Sequence, residues 1–237
     1  MADVLVFAAN VLDSDRQGPR WGASDERRDY SLMLFHDRAL PSIKAQLAGL
    51  GAQVEVVSTD ELAWEDVYDA MGQHPDAIVV VFGHGVPPDK APAIYNRRKE
   101  PRRLLADERV VGVESRWQHL VSCYSHRLCE HVPAGERKPV ICFCGAVFTP
   151  VPHFLEEDFP GQPAYQEVVL KGYEYAFASP VVLAFQSGQP VEAVEKAKVL
   201  LRQTVEACRE MLEQTHNNHC VTYAEIFERM IDVLCCV

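Results

Sequence analysis

The chain has 237 residues, 48% of them hydrophobic and 24% charged, and a formal net charge of −11. That length can bury the core of one domain or somewhat more. The acidity argues against a general nucleic-acid binder, which needs a basic footprint, and against docking on an anionic membrane surface.

Met1-Ala2-Asp3 leads directly into Val4-Leu5-Val6-Phe7-Ala8-Ala9, with no basic leader and too short an apolar run for a signal segment. No stretch approaches the roughly 20 apolar residues of a membrane span. Val4 to Ala9 lacks polar alternation and predicts a strand buried on both faces. Residues 10–24 carry Gly18, Pro19 and Gly22 and read as a loop. From about Asp25 to Leu50, Leu32, Phe35, Ala39, Ile43 and Leu47 recur at three- and four-residue steps, the mark of a helix. Pro41 should kink or split it. Val54 to Val57 reads as a second strand. Thr59 or Asp60 can cap a helix from Glu61 to about Met71.

Ala77-Ile78-Val79-Val80-Val81-Phe82 is the plainest strand, and it ends in Gly83-His84-Gly85. A long polar insertion follows, with Arg97, Arg98, Lys99, Arg102 and Arg103. In an acidic protein such a run reads as a solvated loop or a docking patch. Between two site-bearing strands it could also act as a lid. A helix is expected around Arg116 to Cys129, then a fourth strand, Val140-Ile141-Cys142-Phe143, which ends in Cys144-Gly145-Ala146. Residues 148–164 hold several prolines and the acidic cluster Glu156-Glu157-Asp158, and read as loop. Pro180 to Phe185 reads as a further strand. Pro190 to about Gln214 forms a helix with Pro near its first position, and a last helix starts at Thr222, boxed by Glu225.

The eight cysteines show no regular spacing across a short chain, so reduced thiols in a cytosol are expected. Two strand ends carry chemistry: Phe82-Gly83-His84-Gly85 and Phe143-Cys144-Gly145. In open α/β sheets, sites form at the carboxyl ends of strands. A thiol attacks only as thiolate, so a nearby imidazole is needed to take its proton, and the same group can then protonate a leaving amine. Cys144 is thus the candidate nucleophile and His84 the acid and base. The amides of Gly85 and Cys144 are the candidate oxyanion donors. Glu156, Glu157 and Asp158 are candidate substrate-binding residues.

This order of strands, with Gly-His-Gly closing one and Cys-Gly closing a later one, resembles the caspase-like (clan CD) cysteine peptidases, and among them the CHAT-type proteins. The likeness spans about residues 3–200. It rests on Val4 to Asn10, Pro75 to Gly85, Lys138 to Ala146 and the helix entry Phe185 to Ala193. The resemblance implies an α/β fold, a caspase-like three-layer sandwich with a mainly parallel central sheet flanked by helices. It also implies hydrolysis of a protein or peptide substrate through a His/Cys dyad and a thioester, in regulated proteolysis or defence. Metacaspase-like members carry an acidic residue two before the nucleophile to hold a basic side chain. That position is Cys142 here, so a basic preference set in this way is not supported.

The expectation is one domain over 1–237, with a core of about 3–190 and a helical part of about 190–237. It is expected in the cytoplasm, without cofactor, metal, nucleic acid or membrane, and under the control of a regulatory protein partner or a ligand. A catalytically inactive scaffold on the same fold is the alternative. Zinc ligation by Cys123, His126, Cys129 and His131, or by His216, His219, Cys220, Cys235 and Cys236, lacks paired Cys-x2-Cys spacing. A nucleotide binder lacks a glycine-rich loop after the first strand.

Overall fold

The computed structural model describes residues 2–12, 30–96, 103–106, 116–130, 132–133, 135–147 and 154–237. Most of the first loop, residues 25–29 of the first helix, Arg97, Arg98, Lys99, Arg102 and His131 lie outside them.

Six strands form the central sheet: β1 (Val4–Ala8), β2 (Val54–Ser58), β3 (Ile78–Phe82), β7 (Trp117–Val121), β8 (Val140–Phe143) and β9 (Leu234–Cys236). Their spatial order is β2-β1-β3-β7-β8-β9, every neighbouring pair being parallel except β8 with β9. A second, antiparallel sheet of β4 (His84–Gly85), β5 (Ala93–Tyr95) and β6 (Arg103–Ala106) occupies the stretch read as an insertion. The protein is therefore an α/β sandwich on a mainly parallel sheet.

β1, β3 and β8 are continuous apolar runs because each is covered on both faces. On one face Val6, Val80, Phe82, Ile141 and Phe143 pack under helices. These are α1 (Tyr30–Leu34), α2 (Leu40–Gly49), α4 (Phe154–Asp158), α5 (Pro163–Phe177), α6 (Ser179–Ser187), α7 (Pro190–Thr215) and α8 (His219–Val233). On the other, Leu5, Phe7, Val79, Val81 and Val140 meet α3 (Trp64–Gln73) and the small sheet through Val67, Met71, Ile94, Leu104 and Leu105. No single helix among the described residues is long and apolar enough to cross a membrane.

Several elements differ from the sequence reading. Pro41 does not break its helix: a π turn, Phe35–Ala39, links α1 to α2, and the Leu40 N–H reaches back to the Phe35 carbonyl. That widened turn lies just before the proline, which has no N–H to donate. α3 begins at Trp64, where the Asp66 carboxylate accepts the Ala63 N–H at 2.7 Å. Asp60 instead accepts from Asn10 and Ser58. Pro180 to Phe185 is helical within α6, because a short buried apolar run fits either period. α8 starts before Thr222, with the Asn217 side chain accepting the His219 N–H.

The largest difference is Trp117–Val121, expected as helix and found as a parallel strand between β3 and β8, followed by a 3₁₀ turn, Ser125–Cys129. Its five residues are all buried although Gln118 and His119 are polar. The side-chain polar atoms of Trp117, Gln118 and His119 have no hydrogen-bond partner among the described residues. Desolvation pushes the His119 imidazole down from 6.5 to about 3, so it is held neutral.

Between about pH 6.5 and 3 the unfolded chain binds a proton that the folded chain does not, so His119 weakens the fold as pH falls. From pH 7 to pH 5 this one group removes about 2 kcal/mol. Urea unfolding at the two pH values should show that much less acid loss in His119→Leu than in the wild type. The leucine variant should be no less stable at pH 7, since a buried unpartnered group is replaced by an apolar one of similar size.

Candidate active site

The five parallel strands deliver their carboxyl ends to one edge of the sheet, so their spatial order decides which chain exits are neighbours. β3 lies between β1 and β7, and β8 between β7 and β9. The expected pair, His84 and Cys144, therefore leaves from strands with β7 between them, about 9–10 Å apart by strand spacing. Phe82 pairs with Val121. Just past the ends of these strands, the backbone at Gly85 closes on the Cys123 carbonyl, and His84 and Cys123 border one cavity.

The structure engages Cys144 elsewhere. Its sulfur forms a disulfide with Cys235, and its N–H donates to the Val233 carbonyl at 2.7 Å. The sulfur is thus no free thiol, and the amide is no free oxyanion donor. Cys235 lies on β9, an element absent from the sequence reading, opposite Cys142. The Cys235 sulfur is also 3.5 Å from that of Cys142. Reduced thiols were expected throughout; this pair, 91 residues apart in the chain, is the correction.

Cys123, in contrast, sits on a shaped turn. Tyr124, directly after it, has φ of 53°, a left-handed conformation uncommon for a residue with a side chain. The turn is pinned from several directions. The Tyr124 N–H donates to the Gly145 carbonyl at 2.9 Å. The Ser125 hydroxyl donates to the Leu120 carbonyl and accepts the Phe143 N–H, both at 3.1 Å. The Val147 N–H points at the Cys123 sulfur, 3.2 Å away. A non-glycine residue held in this conformation persists where its surroundings over-determine it, a pattern found at active sites.

The histidine side is equally constrained. The Gly83 N–H donates to the Val121 carbonyl at 3.2 Å, continuing the β3–β7 ladder past Phe82. His84 and Gly85 then join β5 opposite Tyr95 and Ile94. A Cβ at Gly85 would stand 1.7 Å from the Cys123 carbonyl oxygen, so only glycine lets the two backbones approach this closely. His84 and Cys123 line the same small cavity, bordered also by Phe82, Val121, Val147 and Phe177.

Glu156, Glu157 and Asp158 belong to α4 and none of them lines that cavity. Glu156 accepts from Gln166 at 2.7 Å. Asp158 accepts the Tyr223 hydroxyl at 2.5 Å and pairs with His219 at 3.2 Å, which ties α4 to α8. Burial and that carboxylate together hold the Tyr223 phenol above its ordinary range. Of the candidate zinc ligands, His131 lies outside the described residues, and among the described residues no three His, Cys, Asp or Glu side chains form a group that could hold a metal ion. His126 faces the Phe143 carbonyl and Glu130, Cys129 is buried, and Cys235 is bonded to Cys144.

Sequence reasoning placed Cys123 only in a loose Cys/His cluster. The signal that could have found it is a five-residue stretch ending in Leu120-Val121, then small Ser122 before the cysteine, the same strand-then-turn grammar as at His84. Comparison of the chain with family models, with curated proteins and with solved structures finds no match.

Two outcomes are expected. Gly85→Ala should cost about 3 kcal/mol or more, the upper end for overpacking, because the obstacle is backbone rather than a mobile side chain. A melting temperature within 1–2 °C of wild type, by the usual scaling of about 2–4 °C per kcal/mol, would contradict this. Cys235→Ser should lose about 2–4 kcal/mol of chain-entropy stabilisation under oxidising conditions. Under reducing conditions the variant and the wild type should melt together.

Proposed function

We propose that the protein is a cysteine peptidase of caspase-like architecture in which Cys123, rather than Cys144, is the nucleophile and His84 its acid–base partner. The observation that carries this reading is the β3–β7 register, which brings a histidine and a cysteine off adjacent parallel strands into one cavity. Support for the architecture comes from the strand order, the parallel sheet with one antiparallel edge strand, and the helices on its faces.

The reaction follows from the two groups. His84 takes the Cys123 proton, and the sulfur attacks the scissile carbonyl carbon to form a C–S bond. The oxyanion of the tetrahedral species accepts hydrogen bonds from the backbone amides of Gly85 and Cys123, the second donor moving with the nucleophile. His84 returns the proton to the departing amine as the C–N bond breaks, leaving a thioester. Water, deprotonated by His84, then attacks the thioester, and the thiol and a carboxylic acid are released. The substrate is a protein or peptide, and a regulatory protein partner controls access.

Cleavage of a mixed peptide library by wild type and three variants tests the assignment. Cys123→Ala should abolish turnover. His84→Ala should lower it by about 10²–10⁴-fold, the usual worth of a general acid–base group. Cys144→Ala should retain turnover, apart from any loss of stability. Turnover that survives Cys123→Ala and vanishes with Cys144→Ala would reverse the assignment.

A further inference from the structure

The cavity beside Cys123 has walls as well as a reactive rim. Phe82 closes it from the end of β3, Val121 from the end of β7, Val147 from the segment after β8, and Phe177 from the end of α5. Among the described residues, no Asp, Glu, Lys or Arg lines it. Its volume is about 40 Å³. A single water needs about 10–15 Å³ by the same measure, and a cavity of about 150 Å³ takes a benzene ring. The space therefore holds a few non-hydrogen atoms and excludes an aromatic ring.

A charged side chain entering such a space would lose its water and find no counter-charge among the described residues. One wall is polar. Ser122 is only 3% exposed, and its hydroxyl has no hydrogen-bond partner among the described residues. A buried hydroxyl without a partner is costly, and a ligand bearing one polar atom would satisfy it.

We propose that this cavity receives the side chain of the residue whose carbonyl is attacked, and that it selects small, uncharged side chains. Serine and alanine are accepted, serine ahead of alanine through the Ser122 hydroxyl; acidic, basic and aromatic side chains are rejected. The inference rests on the Cys123 reading above, because only a side chain next to a carbonyl at that sulfur would reach the cavity. It narrows the substrates to proteins with a small residue on the amino side of the cut.

The test uses peptidyl acyloxymethyl ketones that differ only in the residue beside the ketone: Ala, Ser, Leu, Phe, Asp or Arg. Each alkylates a thiol by forming a C–S bond and expelling the carboxylate, so no turnover is needed. Labelling of the full chain is followed by the mass of the Cys123 peptide, with half-buried Cys236 as the internal reference. The Ala and Ser reagents should label Cys123 at least about tenfold faster than the Phe, Asp and Arg reagents, a modest discrimination for a shaped pocket. Fastest labelling of Cys123 by the Arg, Asp or Phe reagent would overturn the pocket assignment and leave the dyad standing. Labelling of Cys123 no faster than Cys236 by every reagent would overturn the dyad, and the pocket with it. Val121→Ala removes two carbons from the wall and should raise the Leu-to-Ala ratio several-fold. An unchanged ratio in a variant that melts as wild type does would also overturn the pocket. Ser122→Ala should erase the advantage of Ser over Ala, and an advantage that persists would remove the hydroxyl from the assignment.

Discussion

The hydrogen-bonded pairing of β3 with β7 is the constraint from which the carboxyl edge of the sheet takes its form. Its register runs from Ile78 opposite Trp117 to Phe82 opposite Val121, and the Gly83 amide extends it by one more bond. A slip of one residue would turn every side chain of β7 to the opposite face, placing Trp117 and Val121 against the wrong core. The two cores on either side of the sheet thus specify the register, and the register specifies which residues leave the edge together. His84 and Cys123 are a consequence of packing that occurs a full strand length away.

The exit itself is built for close approach. Gly85 carries no Cβ because the Cys123 carbonyl occupies that space. On the other side, Tyr124 accepts a left-handed backbone, and bonds from Gly145 and Ser125 hold the turn. Strain of order 1–3 kcal/mol at such a residue has to be offset by its surroundings. The offset comes from two strands at once, since Tyr124, Ser125 and Val147 link the turn after β7 to the end of β8. Beyond it, β9 closes the sheet against β8 and brings Cys235 to Cys144. The second sulfur-bearing strand end is thereby joined covalently to β9, whereas Cys123 is a free cysteine.

β7 carries an unusual polar load for a central strand. Most buried side-chain polar atoms in folded proteins have partners, so Gln118 and His119 in the middle of a sheet are departures that cost stability. They lie a few residues before Cys123, on the strand that bears the proposed nucleophile. Their polarity is also what concealed the strand. Two adjacent polar residues break the continuous apolar pattern of a doubly covered strand, and they suit a helix turn better.

Much of the fold was legible in the amino-acid sequence. β1, β3 and β8 are unbroken apolar runs, the long α7 helix shows its period, and Gly83-His84-Gly85 stands out at a strand end. These features depend only on local pattern, which follows from the periodicity of strands and helices. The six-residue run at Pro180 did not reveal its class, since so short a buried segment satisfies either period, and the helices around it decided the matter. β9 was hidden because three residues at the end of a helix have no pattern of their own. The partner of His84 was hidden with its strand, because Gln118 and His119 interrupt the apolar run that ends just before Cys123. With β7 read as helix, β8 took its place as the next strand of the sheet, and Cys144 took the place of Cys123. Sequence alone determined that a histidine stands at a strand end with cysteines downstream; only the tertiary structure, by inserting β7 between β3 and β8, decided that Cys123 rather than Cys144 stands beside it.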